Sequence, residues 1–586
     1  MDYLELARCY DDLEKTSKRL EKTEILAALI KKTTKDSLRE LAYLLRGRVF
    51  PIYDERKIGV SSKIAIKALA QTTGVSPEKI ENLFKKKGDL GIVAEELIKE
   101  NKQSKLTSQR LTVKKVFENI SKLADMQGAG TVNRRIQLIS ELFSNATPLE
   151  AKYITRTLLE ILRIGVAEGT IRDSLIWAFF PDRVSYDKEK EEIILKCSRE
   201  EYNELVEKVQ HAYNLSNDFG DVALSLKENG LSSLGKIKIG LEKPINPMLA
   251  IKIDTIKEAY DELGDEEILW EYKLDGFRGQ IHKIGKNKYK IYTRRLEDVT
   301  NQFKELIPVL EKHTNADSYI IDTELMGYDP KTKRPRPFQS ISQRIKRKHN
   351  IEEMAKKFPV EINVFDIMLL NGKNLMDLKQ TERRNLVKKI IKPEKQKIII
   401  TKALITKDKK KVEEFYKESL KMGNEGLMAK KLDKEYLPGR HVKGWLKLKP
   451  IKEPLDLAIT GAQWGEGKRT SMFSSFILSC KEKDKFLEIG RVGTGIKEKD
   501  SELTFVSLTK MLKPNIIKEK GSVVELKPKI VVEVNYEEIQ RSPTYNSGYA
   551  LRFPRVTRIR YDKSINDINN IDDVKRIYNK QNKSLI

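Results

Sequence analysis

Cysteine is nearly absent: three residues in 586 (Cys9, Cys197, Cys480), far apart in the chain. No CxxC pair and no Cys/His ligand spacing exists, which excludes a disulfide framework and a zinc finger. Histidine is also sparse, at five residues, and no Ser/His/Asp arrangement is visible. No apolar run approaches the roughly 18 residues that cross a bilayer, so no membrane segment is expected. The opening MDYLELARCYDDLEK is acidic and amphipathic, with no basic stretch ahead of an apolar one, so it is not expected to be a signal peptide. These absences together predict a soluble protein of a reducing, cytoplasmic compartment, nucleoid-associated if the source is prokaryotic.

What is abundant is charge. Lys+Arg number 112 against 86 Asp+Glu, a formal net charge of +26, while 39% of residues are hydrophobic. That apolar content suffices for packed cores, and the basic excess predicts a polyanionic partner. The length exceeds the roughly 250–300 residues that one core serves, so several domains are expected. Residues 1–240 carry +5, residues 241–450 carry +14 and residues 451–586 carry +7, so the middle segment is the electropositive centre.

The hydrophobic pattern divides the chain at the same places. Segments such as LELARCYDDLEKTSKRLEKTEILAALI and TPLEAKYITRTLLEILRIGVAEGTIRDSLIWAFF repeat apolar residues every three or four positions, which predicts an all-helical domain over 1–240. ENGLSSLGKIKIGLEKPINPML, with its glycines and prolines, reads as a linker around 230–247. From 241 to 450 strand-like runs (EILWEYKLD, KYKIYTRR, SYIIDTELMGY, EINVFDIMLL, GLMAKK) alternate with helix-like ones, predicting an α+β domain. Short strands dominate 451–586 and predict a small all-β barrel. The overall expectation is a multidomain chain.

Chemistry concentrates in the middle domain. Glu271-Tyr-Lys273-Leu-Asp275-Gly276-Phe-Arg278 places a lysine at the end of an apolar strand, before an Asp-Gly turn. Alone, Asp-Gly is a common hairpin turn. With its companions, the hexad Lys273–Arg278 resembles the nucleophile motif of the covalent nucleotidyltransferases: DNA ligases, RNA ligases and capping guanylyltransferases. Further motifs follow in that family's order. Tyr292-Thr-Arg294-Arg295, Ile321-Asp322-Thr-Glu324-Leu325, Val364-Phe365-Asp366, Glu425-Gly-Leu-Met-Ala-Lys430, Trp445-Leu-Lys447-Leu-Lys449 and RVTRIRYDK from Arg555 to Lys563 each resemble one. Leu162–Glu168 and the Gln127–Gly130 stretch resemble the helical DNA-binding domain of replicative ligases. The resemblance covers nearly the whole chain and points to the archaeal/eukaryotic type of ATP-dependent DNA ligase.

The resemblance implies roles by position. Lys273 would be the nucleophile that takes AMP from ATP. Its amine must be neutral to attack phosphorus, and a lysine is protonated near pKa 10.4 in water. Arg278, Lys447 and Lys449 would supply the positive field that displaces the proton and offsets phosphate charge. Glu271, on the face of Lys273, would read the adenine edge, and Phe365 would stack on it. Arg278, Arg294 and Arg440 would hold ribose or phosphate. Asp275 would orient the nucleophile. Glu324 and Glu425 would offer oxygens to Mg²⁺, or Mn²⁺ in its place, and Asp322 would stand behind Glu324. ADP or GTP use is left open. Arg555, Arg558, Arg560, Asp562 and Lys563 would reach pyrophosphate or DNA, with a hinge near Lys449–Pro454. Isolated, most of these residues would be read as surface ion pairs or core packing.

The partner would be nicked double-stranded DNA bound by a monomer, with a sliding clamp as a further candidate at Asn101–Leu106. Eight basic residues and no acid between 331 and 348 (Lys331, Lys333, Arg334, Arg336, Arg344, Lys346, Arg347, Lys348) predict a phosphate-binding surface. Gly128, Gly130, Gly165 and Gly169 would allow close approach of backbone to DNA. Gly461–Lys468 imitates a P-loop but has five residues between the glycines and Arg469 where Ser or Thr is required. Gly493-Thr-Gly495 lacks a third glycine. Two rival readings stand beside the ligase: an RNA ligase or capping enzyme, against which the large helical domain speaks, and a non-catalytic basic scaffold for nucleic acid.

Overall fold

The computed structural model describes residues 1–586 except 55, 101–108, 127–129, 337, 346, 348, 440–443, 451–452, 466–468, 470, 498–502 and 584–586. The Asn101–Leu106 segment, Gly128, Lys346, Lys348, Arg440 and part of the Lys449–Pro454 hinge therefore lie outside the described residues. The chain divides into two compact units. One comprises Met1–Ile251, Ala259–Lys407 and Met428–Lys447; the other comprises Lys252–Glu258, Asp408–Leu427 and Leu448–Ile586.

In the first unit, residues up to Asn229 form twelve helices among the described residues, around one apolar core. The periodicity is visible in Tyr3–Lys15, which buries Leu6, Tyr10 and Leu13 along one stripe. Pro148–Leu158 starts where Thr147 accepts from Glu150 N and the Glu150 side chain returns to Thr147 N, a capping box worth about 1 kcal/mol. A short hairpin, Val184–Asp187 with Glu192–Leu195, breaks the all-helical expectation. Its second strand is exposed or half-buried throughout, so it leaves little hydrophobic alternation to read. Arg156 lies buried between Glu14 (Nη1–Oε2 2.8 Å) and Asp89 (Nη2–Oδ2 2.8 Å), with Lys152 on Glu14 at 3.0 Å.

Residues 230–248, linker-like in composition, continue as a short 3-10 turn (Gly230–Lys236) and then a strap fastened to the sheet beyond it. Gln280 grips the backbone of Ile245 at both N and O (2.7 and 3.1 Å). His282 Nδ1 meets Leu241 O at 2.8 Å, and the Tyr292 hydroxyl donates to Glu242 O at 2.7 Å.

Two sheets follow. One runs in the order Lys373–Asn374, Val360–Leu370, Tyr319–Tyr328, Phe277–Gly285, Lys288–Thr293, all antiparallel. Its core includes Phe277, Ile281, Ile321 and Val364. The other places Ala403–Thr406, Ile268–Lys273, Gly426–Lys431 and Trp445–Leu448 side by side in that order.

The second unit is mainly antiparallel sheet. Leu455–Trp464 is its spine: Phe473–Glu482 pairs along one side, while on the other the first half pairs with Val531–Asn535 and the second half with Val523–Leu526. Lys485–Val492, Ile516–Lys520 and Arg555–Ile559 extend this sheet, and Glu538–Arg541 forms a hairpin with Tyr549–Arg552. Helices Phe505–Leu512 and Ile571–Lys583 accompany the strands.

Candidate active site

Alternation along a strand assigns faces. Glu271 and Lys273 share one face of Ile268–Lys273. Glu271 meets Lys430 of the neighbouring strand, and Lys430 meets Trp445 of the next. One sheet face therefore carries Glu271, Lys273, Met428, Lys430, Trp445 and Lys447. Lys273 is the last residue of its strand and half-buried. The turn after it needs a glycine: a Cβ on Gly276 would stand 2.5 Å from Leu325 O and 3.0 Å from Glu324 Cγ. Gly276 thus lets the turn after Lys273 press against the strand that bears Glu324.

Glu271 is 1% exposed. Its Oε1 is held by the Arg384 guanidinium, and its Oε2 lies 2.5 Å from Lys430 Nζ. Arg384 also donates to Thr401 O at 2.8 Å. Lys430 is 1% exposed, with Nζ 4.2 Å from the Trp445 ring centroid and 4.7 Å from that of Phe365. Cation–π attraction of this kind is strongest where water is excluded.

The second sheet supplies the opposite set. Arg278 and Glu324 are cross-strand partners, as are Gln280 and Asp322. Arg278 is forked onto Asp322, donates to Met248 O at 2.7 Å and to the Tyr436 hydroxyl at 2.8 Å. Tyr436 in turn donates to Asp322 Oδ2 at 2.8 Å. Burial and the Asp322 carboxylate hold the Tyr436 phenol well above its ordinary range. Phe365 owes its position to a β-bulge. Asp322 pairs with Asp366 and Thr323 with Val364, so Phe365 is the extra residue between them. Its ring meets Trp445 edge-on at 6.0 Å, and Arg278 Cζ lies 5.6 Å from its centroid.

In the second unit Glu425 pairs with Lys449 at 2.7 Å. Gly426, at φ 144°, has Leu448 O so close that any Cβ would collide with it. Arg560 lies 3.0 Å from Asp456 and pairs with Asp562 at 2.7 Å; Lys563 reaches Asp456 at 2.7 Å. Arg558 pairs with Glu533 at 2.8 Å, and Arg555 is exposed on the same strand.

Of the predicted residues, the first unit brings together Glu271, Lys273, Arg278, Glu324, Phe365 and Lys447. Arg294 is exposed at the end of Lys288–Thr293. Two members of the basic run are not a phosphate surface. Arg344 is 1% exposed; it pairs with Glu305, donates to Phe358 O at 2.9 Å and stacks on Phe303 at 4.2 Å. Arg336 is taken up by Asp329. Lys331, Lys333, Arg334 and Arg347 remain exposed. Composition and motif order missed Arg384, Tyr436 and the inward aim of Lys430, because each acts through contacts far along the chain. Among the described residues no three His, Cys, Asp or Glu converge as a metal cage. Single carboxylates such as Glu324 and Glu425 fit Mg²⁺, which keeps waters and substrate phosphates in its shell rather than an all-protein set.

Comparison with known proteins agrees with this geometry. The family model described as ATP dependent DNA ligase domain matches residues 247–449. Those described as DNA ligase N terminus and ATP dependent DNA ligase C terminal region match 2–176 and 469–563. The DNA ligase of Nanoarchaeum equitans is 43% identical over 99% of both chains, and that of Thermococcus onnurineus 42% over 99% of this chain and 98% of its own. A solved structure described as Pmar-Lig_PreS3 shares the fold, with a TM-score of 0.56 at 18% identity over 94% of this chain and 99% of its own. The chain belongs to the ATP-dependent DNA ligases, the enzymes that seal nicks in DNA.

Proposed function

We propose that sealing runs through Lys273. The observation that carries this reading is the sheet face that sets Lys273 beside Glu271, Lys430 and Lys447, with Arg278, Glu324 and Phe365 supplied by the second sheet. The Lys273 Nζ lone pair forms a P–N bond to the α-phosphorus of ATP. The bond to the bridging oxygen breaks, and pyrophosphate leaves with its electrons. The 5′-phosphate at a nick then takes the AMP, freeing Lys273, and the 3′-hydroxyl displaces AMP and closes the strand. Arg278, Arg294, Arg440, Lys447 and Lys449 offset phosphate charge through these steps.

Phe365 stacks on adenine and Glu271 accepts from its amino group. Glu324 and Glu425 would each offer a carboxylate to Mg²⁺, which would supply charge neutralisation at the phosphates. Residues 1–240 form the DNA-gripping domain, 241–450 the adenylation domain and 451–586 an oligonucleotide-binding barrel. Arg555, Arg558, Arg560, Asp562 and Lys563 serve pyrophosphate or DNA, and a sliding clamp recruits the monomer to nicked duplex. The test is Lys273→Ala: it abolishes transfer of label from α-labelled ATP to protein, yet still closes a nick that already carries AMP. Label retained on the variant would reject the assignment.

A further inference from the structure

The last long helix of the helical part ends against the two backbone segments that carry partners of Arg278. Helix Arg199–Ser216 finishes with Asn214 buried and with Asn217, its buried C-cap, in the left-handed region at φ 51°. Both side-chain amides reach away from the helix. Asn214 Nδ2 donates to Pro438 O at 2.8 Å, across 224 residues of chain. Asn217 Nδ2 donates to Pro244 O at 2.6 Å, and Asn214 O accepts from Asn246 N at 3.3 Å. Gln210, one turn earlier, donates to Asn214 Oδ1 at 2.9 Å, which leaves the Asn214 NH₂ to face Pro438. Segments 244–247 and 436–439 contain three prolines, which have no N–H for a ladder, so an outside donor fixes what regular pairing cannot.

The two segments meet each other and then Arg278. Gly439 N donates to Pro247 O at 3.3 Å, and Met248 bridges Gly439 in parallel. Met248 N donates to the Tyr436 hydroxyl at 3.2 Å. That hydroxyl and Met248 O both accept from the Arg278 guanidinium. We infer that Asn214 is a positioning residue for Arg278. By holding Pro438 O, while Asn217 holds Pro244 O, it fixes the pair of segments from which Tyr436 and Met248 present their oxygens to the guanidinium. The helical part then braces a charge of the candidate site in addition to gripping DNA. The inference rests on the reading above that Arg278 offsets phosphate charge while AMP passes to Lys273.

The experiment measures the rate of label transfer from α-labelled ATP to the full chain, unmodified and as Asn214→Leu, Asn214→Asp, Tyr436→Phe and Asn214→Leu combined with Tyr436→Phe. Asn214→Leu is expected to slow transfer roughly 10-fold, the worth of one buried hydrogen bond, with affinity for nicked duplex unchanged. Because Asn214 acts through Tyr436, the doubly substituted chain is expected to stay within about twofold of the slower single variant. Asn214→Asp turns the donor into an acceptor facing Pro438 O, and regains a donor once burial lets the carboxyl take up a proton. Its deficit, taken against unmodified protein at the same pH, is expected to shrink from about pH 8 to about pH 6; a merely structural role has no such rescue. Transfer by Asn214→Leu at the unmodified rate overturns the inference, and so do losses that multiply in the doubly substituted chain. If Asn214→Leu loses duplex affinity together with label transfer, Asn214→Asp decides, and a deficit that pH does not move overturns the inference. Failure of the Lys273 reading shows separately, as an unmodified chain that takes no label at Lys273.

Discussion

Buried charges in the candidate site are held in place by groups that no motif names. Tyr436 is the clearest case: one hydroxyl accepts from Arg278 and donates to Asp322. Tyr436→Phe leaves the packing and removes both bonds. It is expected to cost about 1–2 kcal/mol of stability, read by denaturant unfolding, and to slow lysine adenylation about tenfold through a less fixed Arg278. Arg344→Ala is expected to destabilise by roughly 2–4 kcal/mol, since it leaves the Phe358 and Gln302 carbonyls without their donor and opens space against Phe303, with no change in the salt dependence of DNA binding. Lys273, Asp275 and Arg278 are legible in the sequence because they sit together in six residues. Arg384 is not, because it acts on Glu271 across 113 residues of chain. Arg344 misleads because a charge run hides helix facing. On Phe338–Ile345 it falls three residues after the fully buried Ile341, and so on the inward face.

At the scale of elements, two irregularities position the site. The bulge at Phe365 turns an aromatic that strict alternation would assign to one face by counting alone. The strap over 241–248 is fixed by side chains of the sheet rather than by its own hydrogen bonding. Glycines and prolines reveal that it is irregular; contacts from Gln280, His282 and Tyr292 reveal that it is fastened. Gln280→Leu strands both polar groups of Ile245 in a buried place. We expect a loss of about 2–4 kcal/mol, measured by thermal unfolding, and greater protease sensitivity between 236 and 248. The main strands are visible in the sequence as runs of β-branched and aromatic residues. The Val184–Leu195 hairpin is not, because half its side chains face water.

For the whole molecule, the ion cluster in the helical part contributes to acid sensitivity. Burial alone would raise the Glu14 carboxyl, but hydrogen bonds from Arg156 and Lys152 bring it down from 4.5 to about 2. A depressed carboxyl stabilises the fold above its unfolded pKa and loses that contribution as pH falls toward the folded value. Stability is therefore expected to decline between about pH 4.5 and pH 2 by about 2 kcal/mol from this group, after allowance for its partial exposure. Glu14→Gln should flatten that part of the pH–stability curve. The net charge of +26 makes DNA affinity salt-dependent. Lys331→Ala with Lys333→Ala should reduce the slope of log affinity against log salt by roughly 0.9 for each phosphate that is no longer neutralised.

The proposed reaction sequence depends on one amine, that of Lys273, carrying the adenylate. Mass spectrometry of the peptide containing Lys273, after incubation of the protein with ATP and Mg²⁺, decides whether it does. An increment of one AMP on Lys273, discharged when nicked duplex is added, is the result expected. An unmodified Lys273, or AMP on another residue while nicks are still sealed, would refute the mechanism.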